Sequence, residues 1–175
     1  MSCSLISAVL ITLNHVPSAP YAALRTCDIY DAAATPCVAA FSTVRALYAS
    51  YNGPLYRIRR QSDNTTTAVG VAIRGGVADS ATQDAFCEGT TCVVESLVDQ
   101  SAFGNHLVTA PGGQNNGSYD VGVEAGRAPL TMANGKRVYG AYFERGAPAG
   151  IEPDIHRLPI ASRPILACVS DLSLY

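Results

Sequence analysis

Apolar positions recur along this chain at two periods, and the strand-like period of two governs most of it. One stretch keeps the helical period. Val44, Leu47, Tyr48 and Tyr51 stand at i, i+3, i+4 and i+7 behind a capping Ser42, which predicts a helix over 42–51 that Asn52-Gly53-Pro54 stops. Ser80 with Gln83 makes a capping-box pattern, so a second short helix is expected to end at Cys87. Elsewhere the pattern predicts strands: 55–60 with a basic face, 65–73 rich in threonine and valine, and 92–98 rich in β-branched residues. Asn134-Gly135 lies between the apolar runs 129–133 and 136–143, the pattern of a type I′ hairpin. The glycine- and asparagine-rich stretch 112–117 has nothing to pack and reads as an exposed loop. Short strands, frequent glycine turns and one or two short helices predict an all-β fold, a β-sandwich, in one domain without repeat or linker. From 147 onward the alternation fades and four prolines appear.

Composition narrows the partners. Only 15% of the 175 residues are charged and 48% are apolar, which excludes a disordered tail or a coiled coil. Net charge is −2, and eleven of the twelve cations are arginines scattered from Arg25 to Arg163. Phosphate binding needs clustered positive charge, so no nucleic-acid partner is expected. The apolar run at 5–13 has the length of a signal-peptide core and is too short to span a bilayer. Residues 1–23 therefore read as a signal peptide, with cleavage within 18–23 and no membrane span.

Six cysteines change the picture further. Cys27 and Cys37 are ten apart, Cys87 and Cys92 five apart, and neither spacing suits a zinc set. Two local disulfides and an oxidising compartment are the better reading, with Cys3 and Cys168 left over. Asn64-Thr65-Thr66 and Asn116-Gly117-Ser118 are N-glycosylation acceptors, Asn64 and Asn116 both in stretches expected to be exposed.

Catalytic candidates are sparse. Asp99-Gln100-Ser101, followed by Gly104-Asn105-His106, is the most conspicuous polar cluster. Asp99 or His106 could serve as an acid–base group, but a turn in which side chains bond nearby amides is the preferred reading. Asp28 with Asp31 and Asp79 with Asp84 have spacings that paired hydrolytic carboxylates could use, yet fourteen acidic residues produce such pairs by chance. Their expected work is capping and turn-making. Gly75-Gly76 reads as a bend rather than a phosphate cradle. His15 falls in the expected signal and His156 in the stretch after 147.

Taken as a string, 27–146 resembles the start of the catalytic domain of the α-L-arabinofuranosidases of glycoside hydrolase family 54. The resemblance is carried by Cys27-Asp28-Ile29-Tyr30, Thr35-Pro36-Cys37-Val38-Ala39-Ala40 and Arg45-Ala46-Leu47-Tyr48. Gly53-Pro54-Leu55-Tyr56, Gln83-Asp84, Phe86-Cys87, Thr90-Thr91-Cys92, Asp99-Gln100-Ser101, Gly104-Asn105-His106-Leu107 and Asn134-Gly135-Lys136 continue it in order. It implies a secreted, concanavalin- or jelly-roll-like β-sandwich, incomplete here on its C-terminal side. It also implies disulfides Cys27–Cys37 and Cys87–Cys92, no cofactor or metal, a monomer, and action on terminal arabinofuranosyl groups of plant polysaccharide.

Departures from the family define the expectations. Its vicinal cysteines, sugar-stacking tryptophan, nucleophilic Glu and acid–base Asp lie beyond the matching stretch, and this chain has no tryptophan and no adjacent cysteines. Glu144, Glu152 and Asp154 come too early to be the catalytic carboxylates, so no catalytic residue is assigned. Ala102-Phe103 replaces a glycine-containing turn, and Glu88-Gly89 stands where the family has a sequon. Residues 147–175 read as a divergent tail, with 151–175 resembling translated intron or a shifted frame. The chain alone is expected to be inactive and prone to aggregate. The competing reading is a non-catalytic secreted sandwich that binds cell-wall polysaccharide, with Tyr119, Tyr139 and Tyr142 standing in for tryptophan.

Overall fold

The computed structural model describes residues 24–109 and 121–143, together with the backbone of two short strands at 151–153 and 167–169. The elements are α1 (Thr26–Ala32), β1 (Ala39–Phe41), β2 (Pro54–Arg60), β3 (Thr66–Gly70), α2 (Ser80–Phe86) and β4 (Cys92–Leu97). They continue with β5 (Leu107–Thr109), β6 (Ala128–Thr131), β7 (Arg137–Gly140), β8 (Ile151–Pro153) and β9 (Ala167–Val169). Residues 1–23, and with them the expected signal peptide, lie outside the described residues, as do the 112–117 loop, Asn116 and Tyr119.

The architecture is all-β. A five-stranded sheet runs β3-β2-β4-β5-β8 with every pairing antiparallel. Two smaller ribbons accompany it, the parallel pair β1-β9 and the hairpin β6-β7. The centre of the sheet departs from simple alternation. Pairing of β2 with β4 shifts between Arg57 and Ile58, so that Arg57 faces Ser96 and Ile58 faces Val94, leaving Glu95 as the extra residue of a bulge. The bulge lets Val94 and Leu97, three apart, both join the core, and β4 is buried at five of its six positions.

Leu55, Tyr56, Ile58, Val69, Val94 and Leu97 of the sheet pack with Phe41, Val44, Val123, Ala125 and Val138 in one core. Segment 122–125 runs beside the first half of β4: Val94 N donates to Val123 O and Ala125 N to Cys92 O. Gly122 makes the approach possible, because a Cβ there would sit 1.9 Å from Val94 O. A satellite cluster of Cys27, Cys37, Ala40 and Leu47 packs beneath α1.

Three local expectations need comparison with what forms. The strands at 55–60, 65–73 and 92–98 appear as β2, β3 and β4, and α2 begins at Ser80. Helix 42–51 does not form. Its amides bond instead to distant partners: Leu47 N donates to Gln100 Oε1, Ala46 N to Gly76 O, while Val44 O and Leu47 O accept from Ala78 N and Cys27 N. Ser42 Oγ does accept from Val44 N and Arg45 N, but the turn it caps goes no further. Tertiary partners have overridden a correct helical periodicity.

The hairpin sits where Asn134-Gly135 predicted, with a different turn. Gly135 has φ 75° and Asn134 is not in the left-handed region, so the type I′ geometry is absent. Gly135 N donates to Met132 O, and Met132 N to Lys136 O, a wider connection with its left-handed residue at the end. Helix α1 lacks a visible period because it has seven residues. Asp28 builds it: its Oδ2 accepts from Arg25 N at 2.8 Å and also from Ala49 N at 2.9 Å.

Candidate functional site

The polar loop 99–106 leaves β4 and returns in β5, and Asp99 is its centre. Its side chain is buried, and four donors converge on it. Oδ1 accepts from Ala40 N at 2.8 Å and Ser101 N at 2.9 Å; Oδ2 accepts from Ser101 Oγ at 2.7 Å and Asn105 N at 2.9 Å. Gln100 continues the arrangement, with Oε1 accepting from Leu47 N at 2.7 Å and Nε2 donating to Arg45 O at 3.2 Å. Asn105 Nδ2 donates to Val38 O. His106 uses Nδ1 to accept from Asp99 N at 3.0 Å. The Asp99 carboxylate, engaged by four donors, joins β1 to the loop, and Gln100 beside it joins the loop to the 45–47 turn.

A second polar cluster links α2 to β7. Tyr56 OH donates to Gln83 Oε1 at 2.7 Å and Gln83 Nε2 to Ala125 O at 2.9 Å, all of it buried. Gln83, read from sequence as a capping residue, thus turns inward. Burial, and then the charges around it, push the Tyr56 phenol well above its ordinary value. At the next residue, Asp84 Oδ1 accepts from Tyr139 OH and Oδ2 from Arg137 Nη2, each at 2.5 Å. Partial burial raises the Asp84 carboxyl, but the hydrogen bonds from Tyr139 and Arg137 outweigh it and hold the group below the usual carboxylate range. These residues border a cleft of about 290 Å³ with Thr90, Thr91, Glu124 and the Cys87–Cys92 disulfide.

A third feature is a cleft of about 310 Å³ edged by Asp31, Ser50, Tyr48, Tyr51 and Phe103. Phe103 is 53% exposed. Tyr51 OH donates to Pro54 O at 2.6 Å, and burial, then the charge of Asp99, raises its phenol above the ordinary value.

The structure does not bring the sequence-level candidates together. Asp28 caps α1 while Asp31 stands exposed at the aromatic cleft. Asp79 accepts from Thr82 Oγ1 at the start of α2, and Asp84 faces the hairpin instead. Tyr139 is tied to Asp84, and Tyr142 lies under the Arg127 guanidinium at 4.6 Å from the ring centroid. Tyr119 lies outside the described residues. Among the described residues, no group of three or more His, Cys, Asp or Glu could hold a metal, and no helix is long and apolar enough to cross a membrane. Glu144, Asp154 and His156 lie outside the described residues, and Glu152 is described only as backbone of β8. Both local disulfides are present, Cys27–Cys37 with Cα atoms 5.7 Å apart and Cys87–Cys92 with 5.8 Å.

Residues 26–153 match the family model for the catalytic domain of α-L-arabinofuranosidase B. The chain belongs to that family. A probable α-L-arabinofuranosidase B of Aspergillus flavus is 48% identical over 147 residues, 82% of this chain and 29% of the relative. The α-L-arabinofuranosidase B of Aspergillus oryzae gives the same identity and coverage. Among solved structures, an arabinofuranosidase complexed with arabinofuranosyl-α-1,2-xylobiose superposes with a TM-score of 0.66 at 46% identity, over 71% of this chain and 26% of that one. The chain thus spans less than a third of its curated relatives, and its all-β architecture is the sandwich of the family 54 arabinofuranosidases.

Proposed function

We propose that this chain supplies the first layer of an arabinofuranosidase catalytic domain and that its own side chains are scaffold. The parent enzyme removes terminal α-L-arabinofuranosyl groups from arabinan or arabinoxylan by retaining hydrolysis. A glutamate attacks the anomeric carbon while an aspartic acid protonates the leaving oxygen, and water then releases arabinose. Carboxylates perform both proton transfer and attack, so no cofactor is required. Passage through a secretory pathway accords with the two disulfides. The reading keeps 1–23 as signal peptide, 27–146 as the catalytic-domain portion and 147–175 as a divergent tail, in a monomer.

The observation that carries the scaffold role is Asp99, whose two oxygens are occupied by four donors from its own chain. The test is a chimera in which residues 26–153 replace the matching segment of the Aspergillus oryzae relative, assayed on a chromogenic arabinofuranoside beside the 175-residue chain. The chimera should hydrolyse it and the chain alone should not. Arabinose release by the chain alone would overturn the scaffold role, and a folded but inactive chimera would overturn the equivalence of the segments.

A further inference from the structure

Hairpin β2–β3 ends in an exposed tip closed by its own hydrogen bonds. Arg60 N donates to Thr65 O at 2.9 Å and Asn64 N to Arg60 O at 3.1 Å, closing the turn. Asp63 Oδ1 accepts from Thr65 N at 3.0 Å and from Thr65 Oγ1 at 2.7 Å. Those two bonds hold the Asp63 carboxyl below its usual range. Asn64 takes φ 58°, a left-handed conformation that asparagine tolerates better than most residues. Residues 61–66 are all exposed. The fold uses only one end of the Asn64 amide: Oδ1 accepts from Arg59 Nη1 at 2.7 Å. Nδ2 makes no hydrogen bond to a described residue.

Strand β3 is the outermost strand of the five-stranded sheet. Its C-terminal end is covered, since Asp79 N donates to Gly70 O and Val71 bridges Ala78. The open part of the edge is therefore the Thr66 end, next to the tip, where Thr66 and Ala68 are exposed. An open edge rich in threonine and valine invites another strand to pair with it.

We propose that Asn64 carries an N-linked oligosaccharide and that this glycan shields the open end of the β3 edge. The donor is a polyprenyl-pyrophosphate-linked oligosaccharide of the secretory pathway. Asn64 Nδ2 bonds to the anomeric carbon of the first N-acetylhexosamine. The bond from that carbon to pyrophosphate oxygen breaks, polyprenyl pyrophosphate leaves with the electron pair, and Nδ2 loses one proton to base. Oδ1 remains a carbonyl oxygen, so the bond from Arg59 survives and the tip keeps its shape. The inference rests on the proposed secretion, and a host leader in the test keeps the two apart.

The experiment expresses the full chain in a yeast behind a host secretory leader, with Asn116→Gln removing the other acceptor. An endoglycosidase-sensitive mass shift should remain in that background, vanish in Thr66→Ala and Asn64→Gln, and persist in Thr66→Ser. The shift can be read on the cell-retained pool as well as on secreted protein, so poor export does not obscure it. Translocated Asn116→Gln protein without glycan overturns the site. Removing the glycan under native conditions should raise the self-associated fraction several-fold in sedimentation, and Thr66→Ala, which leaves the Asn64 turn intact, should do the same. Unchanged sedimentation in both overturns the shielding role.

Discussion

Asp99 and Asp84 show how differently one chain can employ the same side chain. Asp99 is 4% exposed and binds four donors, one from β1 and three from its own loop, all within 2.7–2.9 Å. Asp84 also makes two short contacts, but its side chain is 36% exposed and its arginine partner 57%. Around Asp99 the backbone has no secondary structure of its own, so the carboxylate replaces the ladder that a strand would have provided. Around Asp84, α2 and β7 already have their own hydrogen bonds, and the ion pair joins two finished elements across solvent. A buried hub is therefore part of the fold, whereas an exposed latch adjusts it.

That contrast can be tested by substitution, with urea midpoints as the measure. Asp99→Asn should have the largest effect, about 3 kcal/mol, because an amide NH₂ would face donors that the carboxylate now satisfies. Gly122→Ala should come close to it, since its Cβ cannot be placed without moving the β4 backbone carbonyl. Replacing Cys27 and Cys37 together with alanine should cost about 2–3 kcal/mol through the loop they close, and more protease sensitivity should appear near α1 than near β7.

Asp84→Asn should have the smallest effect at neutral pH, under about 1 kcal/mol given its exposure. Its signature is the pH dependence. The folded carboxyl lies below its unfolded value near 4, so its contribution is present above about pH 5 and is lost as pH falls through the folded value. The Asn variant should flatten the stability curve in that acid window and leave pH 6–8 nearly unchanged. An equal drop for Asp84→Asn and Asp99→Asn at pH 7 would erase the distinction between hub and latch.

Legibility from sequence followed the same division. Strands β2, β3 and β4 are readable from β-branched runs, because each depends on neighbours a few residues away; α2 lies where Ser80 and Gln83 place it, but the capping box does not form, since Asp79 is the N-cap and Ser80 Oγ donates to Arg137 O. The joint at 99–106 was visible as a polar cluster and correctly suspected of bonding to amides, but its partners Ala40, Leu47 and Val38 lie more than fifty residues away. Helix 42–51 failed for the complementary reason: its periodicity describes a face that does become buried, at Val44 and Leu47, without helical hydrogen bonds. Helix α1 carries no sequence signal, because seven residues cannot display a period and its N-cap, Arg25, has no side-chain acceptor; only the bond from Arg25 N to Asp28 marks its start.

Local pattern and family motif together determined the strand content, the position of the β6–β7 turn, the cysteine pairs and the family membership. Each of those depends on interactions within a dozen residues or on a string long enough to be specific. Tertiary structure alone decided which carboxylates are joints, which way Gln83 faces, and that 42–51 spends its amides on Gln100 and Gly76. Those outcomes depend on where distant backbone groups are left without partners, and a buried amide accepts whichever partner the packed chain brings within 3 Å.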